Sequence, residues 1–320
     1  MTLKEKYKDY FRVGAEVNLH TINTHKELII KHFDSITCEN ETKFESLCPL
    51  PDKDTFESAD AIATFAKENG ILLRGHTFVW HNQTPEWVFK DADKELLLSR
   101  MKNHIQKVGK HYQDSMYCWD VVNEAIEDKT DLVLRDSQWR RIIGDDFMEY
   151  AFRYAKETLP NTPLYYNDYN EMNPVKREKI YSIVKQMKEN GVPVDGIGMQ
   201  CHINIYEPGV DELKAAIERY ASLGVRLQFT EMDVSMFRFE DHTVLNAPSK
   251  ELIQLQAKKY KEYFKVFREY HDVIDCVTLW GVADDATWLS NFPVRNRKNW
   301  PLLFDDNHEE KEAFYAIMDF

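Results

Sequence analysis

A closed (β/α)8 barrel is the fold this 320-residue sequence predicts. Three observations carry that prediction. Short β-rich apolar runs recur along the chain, with longer stretches of helical apolar spacing between them. Nearly every one of those runs stops at an acid, an amide, an imidazole or a tryptophan. The first run leads into Val17-Asn18-Leu19-His20, without the glycine-rich phosphate turn that a doubly wound open sheet would carry there.

The strand-like runs fall near residues 11–16, 35–38, 71–76, 117–123, 163–167, 196–200, 225–230 and 276–280. The helices between them carry boundary signals. Asn69-Gly70 closes one helix ahead of Ile71. Asn173-Pro174 can cap and start another, with Ile180, Ile183, Val184 and Met187 on its inner face and Gly191 at its end. Asp211 can cap a helix running from Leu213 to Leu223, stopped by Gly224. No Pro/Gly/Ser-rich linker, low-complexity tract or longer repeat interrupts the pattern, so a single domain over residues 1–320 is expected.

Composition narrows the function classes. The chain is 43% hydrophobic and 30% charged, a balance typical of a globular protein with a large core. Its net charge of −13 argues against nucleic acid and against an anionic membrane surface as partners. No run approaches the roughly 18 apolar residues of a membrane span. The five cysteines, Cys38, Cys48, Cys118, Cys201 and Cys276, are scattered and form no CxxC pair, which suits reduced thiols. The charged start, Met1 to Lys8, lacks the apolar core of a signal peptide. A cytoplasmic location is therefore expected, with secretion after removal of a signal peptide as the alternative. Oligomeric state is not specified by any of these features.

The chemistry concentrates in two glutamates. Glu124 ends the run Tyr117-Cys118-Trp119-Asp120-Val121-Val122-Asn123, and Glu231 ends Val225-Arg226-Leu227-Gln228-Phe229-Thr230. Two carboxylates facing each other across a cleft are the equipment for breaking a glycosidic bond. A lone glutamate at a strand end usually marks only the chain emerging into solvent. Here the other strand ends add Glu39-Asn40-Glu41-Thr42-Lys43, Arg74 to His81, Asn167 to Asn170, Gln200-Cys201-His202, Asp233 and Trp280, and the bland reading loses ground.

His76, His81 and His202 invite a metal reading, since zinc-dependent barrel hydrolases use strand-end histidines. The spacing is His-x4-His, with no His-x-His on the first strand, so hydrogen-bonding histidines are preferred and neither metal nor organic cofactor is expected. Trp80, Trp280 and Trp288, set among polar groups, suit a sugar-stacking platform. Trp87, Trp119, Trp139 and Trp300 read as structural. Arg295-Asn296-Arg297-Lys298 reads as a solvated loop, with a contact to acidic sugar substituents as the weaker alternative.

These stretches resemble glycoside hydrolase family 10, the endo-β-1,4-xylanases, along nearly the whole chain. The resemblance rests on Ala15 to Asn18, Thr37 to Asn40, Arg74 to His81, Trp119 to Ala125, Tyr166 to Asn170, Gly196 to His202, Thr230 to Asp233 and Trp280 to Trp288. It is strongest to the single-domain members without a secretion signal. It implies Glu124 as acid/base and Glu231 as nucleophile. It implies that Asn123 holds the 2-hydroxyl of the sugar at the cleavage point, and that His202 bridges Glu231 and Asp233. Glu39, Asn40, Lys43, His76, Trp80, Gln83, Gln200 and Trp280 would line the non-reducing subsites. Trp288 would cover the site, and Tyr169 would face the leaving group. Two positions depart from the family pattern: Thr42 replaces a methionine, and Cys201 a small residue such as serine or alanine.

The implied reaction is double displacement on β-1,4-linked xylan or xylooligosaccharides, with carboxyls roughly 5–5.5 Å apart. The charge on Glu231 would favour the protonated form of Glu124 until the glycosyl ester removes it, after which Glu124 serves as base. Xylose lacks the hydroxymethyl group of glucose. A pocket walled by Trp280, Trp288, Lys43 and Glu39 is therefore expected to disfavour cellulose.

Overall fold

The computed structural model describes residues 1–320. Nine strands form: β1 (Arg12–Val17), β2 (Ser35–Cys38), β3 (Leu72–Trp80), β4 (Met116–Asn123), β5 (Leu164–Asp168), β6 (Gly196–Met199), β7 (His202–Asn204), β8 (Arg226–Ser235) and β9 (Ile274–Leu279). The hydrogen-bonded order is β6-β5-β4-β3-β2-β1-β9-β8, and β6 pairs in parallel with β8 to close the ring. The result is the expected (β/α)8 barrel. The short β7 lies beyond the ring and pairs only with the far end of β8, placing His202 opposite Asp233.

The strands are buried on both faces, because helices cover one side and packed side chains fill the other. That is why β2, β5 and β6 read as continuous buried runs. A contiguous cluster of 86 buried apolar residues joins barrel and helices, with no seam that would divide the chain into two cores. The helix Pro174–Glu189 starts as expected: the Asn173 side chain accepts from the backbone N–H groups of Val175 and Lys176. Such caps contribute about 1 kcal/mol each. Ile180, Val184 and Met187 of this helix are buried; Ile183 is only partly so. Gly70, Gly191 and Gly224 each follow a helix with positive φ, the conformation that lets the chain turn into the next strand.

Two expectations need correction. Asp211 is not a cap: Gly209 holds that position, the helix spans Val210–Ala221, and Asp211 lies in its first turn with Glu212. Carboxylates there still face the positive end of the helix dipole. β3 and β8 also run well past their expected ends, to Trp80 and Ser235. Both carry register shifts against their neighbours, between His76 and Val79 on β3 and between Phe229 and Met232 on β8. These irregularities let the backbone stay extended while it climbs above the barrel rim.

The barrel interior is polar beneath the rim. The buried Arg74 guanidinium bonds both oxygens of Asp120 and donates from Nε to Gln228 at 2.8 Å. Breaking such a pair by removing one partner strands a buried charge, at a cost of roughly 3–5 kcal/mol. The Asp120 carboxylate also meets His76 Nδ1 at 2.8 Å. One buried anion therefore anchors both the interior and the floor of the site above it.

Candidate active site

Asn123 is the last residue of β4, and the chain leaves the strand through Glu124, whose φ is +55°. This left-handed conformation is uncommon for a residue with a side chain and is held by its surroundings. The Glu124 N–H donates to the Asn167 carbonyl at 2.9 Å, and the Arg135 guanidinium donates to the Glu124 carbonyl at 3.0 Å. The carboxylate is gripped as well. Trp80 Nε1 donates to Oε2 at 2.9 Å, while Gln200 Nε2 and Asn123 Nδ2 approach Oε1 at 3.0 and 3.3 Å.

Glu231 lies within β8 and is 5% exposed. His202 spans two carboxylates, with Nε2 at 3.2 Å from Glu231 and Nδ1 at 2.9 Å from Asp233. Burial alone would lower the His202 pKa, but the charge of Asp233 and the hydrogen bonds to both acids push it up to about 10. Both ring nitrogens then donate. Burial would likewise raise Glu231, yet the hydrogen bond from His202, the His76 and His202 charges and the Asn167 amide hold it well below the usual carboxylate range. Glu231 is therefore an anion at neutral pH, aligned by a cation behind it. Trp288 Nε1 donates to Asp233 Oδ2 at 2.8 Å, which orients the far end of this array.

The two glutamates are joined through amides. Asn167 Nδ2 donates to Glu231 Oε1 and to Asn123 Oδ1, both at 2.9 Å. Asn123 and Gln200 continue the connection to Glu124. Asn167, on β5, is a positioning residue; the sequence reading counted it among the polar strand ends but gave it no role. The signal that could have found it is Gly198 on the paired strand β6. A Cβ there would lie 2.3 Å from Asn167 Oδ1, so only glycine leaves the amide its place.

The remaining sugar-site candidates form two groups. Lys43 Nζ donates to Asn40 and Gln83, each at 2.9 Å, and Gln83 donates to Asn40 at 3.0 Å. The Lys43 ammonium also stands 4.8 Å from the Trp80 ring centroid. Glu39 is held by Asn18 Nδ2 at 2.9 Å. Trp280 lies edge-on to His76 and His202, and Trp288 packs on Phe292 and beside His202. On the other side, Tyr169 is fixed by Arg135 at 2.7 Å and by Asp128 at 3.1 Å, with the Lys176 ammonium 3.6 Å over its ring.

The two departures from the family pattern are packed into the frame. Thr42 donates to the His76 carbonyl, and the Cys201 N–H donates to Glu171 at 3.0 Å. Burial pushes Glu171 up to about 7. Glu16, on β1, was also missed. It is 5% exposed, one of its oxygens has no partner, and burial followed by the charges of Glu39 and Glu41 pushes its pKa far up.

His76, His81 and His202 do not converge on one point. His76 faces Asp120, His202 faces Glu231 and Asp233, and His81 lines a small cavity behind Glu124 with Trp80 and Trp139. The basic loop is solvated as read at Arg295, Asn296 and Lys298, and departs from that reading only at Arg297. Arg297 is buried against the Phe237 ring and bonds the Asp241 carbonyl, and Lys298 pairs with Asp306, so these two charges are already engaged.

A closed barrel that carries an ionised glutamate on one strand and a hydrogen-bonded glutamate past the end of another, linked by amides, defines a glycoside hydrolase. This chain belongs to Glycosyl hydrolase family 10, whose profile matches residues 2–320. It is 52% identical over 323 residues to endo-1,4-beta-xylanase B of Paenibacillus barcinonensis, covering 99% of this chain and 97% of that one. It is 50% identical over 325 residues to an endo-1,4-beta-xylanase of Geobacillus stearothermophilus, covering 99% and 98%. A solved mutant structure in complex with xylotriose superposes with a TM-score of 0.99 at 51% identity, covering 100% of both chains.

Proposed function

We propose that this protein is a retaining endo-1,4-β-xylanase that cleaves xylan and xylooligosaccharides through a covalent glycosyl-enzyme. The observation that carries this reading is the pairing of Glu231, held anionic by His202, with Glu124, held by Trp80 and Gln200, through the shared Asn167–Asn123 amides. Glu231 attacks the anomeric carbon while Glu124 gives its proton to the leaving oxygen. Formation of the ester removes the charge of Glu231, and Glu124 then takes a proton from the incoming water. Asn123 is assigned to the 2-hydroxyl at the cleavage point. Glu39, Asn40, Lys43, His76, Trp80, Gln83, Gln200, Trp280 and Trp288 are assigned to the sugars on the non-reducing side, and Tyr169 to the leaving-group side.

Proton NMR of early hydrolysis tests both parts of the reading. Xylotetraose should give the β-anomer first, and cellotetraose should react at least about 10- to 100-fold more slowly per contested subsite. The extra hydroxymethyl costs on the order of 1–3 kcal/mol by clash or by stranding a polar group. An initial α-product would sink the retaining mechanism, and comparable rates on the two substrates would replace the xylanase with a broader β-glycanase.

We also propose that the enzyme works in the cytoplasm on imported xylooligosaccharides. Its five cysteines are all buried and free, which supports a reducing compartment. Activity should appear on lysis of the source cells; activity found chiefly in the medium of intact cells would contradict this location.

A further inference from the structure

Two imidazoles and a carboxylate gather away from the glutamate pair. His25 follows β1, Asp285 lies in the loop after β9, and His308 lies in a turn near the C-terminus. Each offers one ligand atom, and the three atoms lie within 4.8 Å of one another. His25 Nε2 is 2.9 Å from one oxygen of Asp285, and His308 Nε2 is 3.4 Å from the other. Both rings therefore turn the same nitrogen toward one carboxylate, with their centroids 4.2 Å apart.

The surroundings suit a bound ion. His25 is 1% exposed, and its other nitrogen is 2.7 Å from Thr24 Oγ1, which fixes the ring as outer partners fix metal-bound histidines. The side chains of Asp285 and His308 remain 35% and 32% exposed, which gives an entry path and room for a water ligand. A hydrogen-bonded His–Asp–His triad is the plainer alternative.

We propose that His25, Asp285 and His308 bind one divalent cation of the Zn2+ type. Two imidazole nitrogens and a carboxylate oxygen, with one position left to water, form a donor set that favours zinc over calcium or magnesium. The site would join three segments that are otherwise distant in the chain. Asp285 also lies three residues before Trp288, whose indole bonds Asp233 behind the nucleophile. Occupancy would therefore tie the loop carrying Trp288 to the turn after β1 and to the C-terminal turn.

The test is calorimetric titration of Zn2+ into the chelator-stripped full-length enzyme, with thermal unfolding measured in parallel. Saturable binding of one equivalent and a raised Tm are expected. His308→Gln, on a partly exposed turn, should keep the metal-free Tm and weaken binding by at least about 10- to 100-fold. Asp285→Asn should behave in the same way. Absence of one-equivalent binding, equal affinity in His308→Gln, or stabilisation by Ca2+ but not by Zn2+ would each overturn the site.

Discussion

Glu231→Ala is expected to lose essentially all turnover, a fall on the order of 10⁶ in kcat, the scale seen when a covalent nucleophile is removed. The anion at this position forms the glycosyl ester, and no neighbour can take its place. Asp233 is buried and already bonded to His202 and Trp288, and Glu124 is held through three N–H donors. The loss should be the same for aryl xylobiosides with good and poor leaving groups, because the missing step is attack and not departure. The fold should survive, since His202 keeps Asp233 as a partner, and circular dichroism would establish that. Residual activity within 100-fold of the parent enzyme would remove Glu231 from the nucleophile's role.

The barrel was legible because nearly every strand-like run leads into a polar residue or a tryptophan and several helices carry their own punctuation. The Asn173-Pro174 start and the Gly191 and Gly224 ends survive in the structure as read. Asp211 misled because acids favour a helix's first turn as well as its cap, and Gly209 leaves no side-chain signal of capping. The extensions of β3 and β8 were not legible, because register shifts depend on neighbouring strands and leave no period in the sequence. Glu124 and Glu231 could be read because each closes an apolar run. Asn167 was noted among the polar strand ends, but its role could not be read, for an amide there looks like any solvent-facing residue until Gly198 across the ladder shows that its space is reserved. The His25–Asp285–His308 group joins residues 260 or more positions apart on one side and 23 apart on the other, so only the closed barrel brings it into view.

Glu124→Ala should separate the two half-reactions. The side chain sits on the leaving-group side of the reading proposed here, with Trp80, Gln200 and Asn123 aiming N–H groups at its oxygens. Removing the carboxyl leaves Glu231 and His202 in place, so attack on the anomeric carbon remains possible wherever the leaving group departs without a proton. Xylan and aryl xylobiosides with poor leaving groups should lose roughly 10²–10⁴-fold, the usual contribution of acid/base help, or more in a site this enclosed. A substrate with a good leaving group should still form the glycosyl-enzyme, which then waits because water has lost its base. Azide needs no base and fits the space that the carboxyl vacates, among donors already oriented for an anion. Added azide should therefore accelerate turnover of the activated substrate and yield a β-xylobiosyl azide, the anomer that a second inversion at the same carbon requires. If azide rescues nothing and good and poor leaving groups lose rate equally, Glu124 positions the substrate and the acid/base must be sought elsewhere in the cleft.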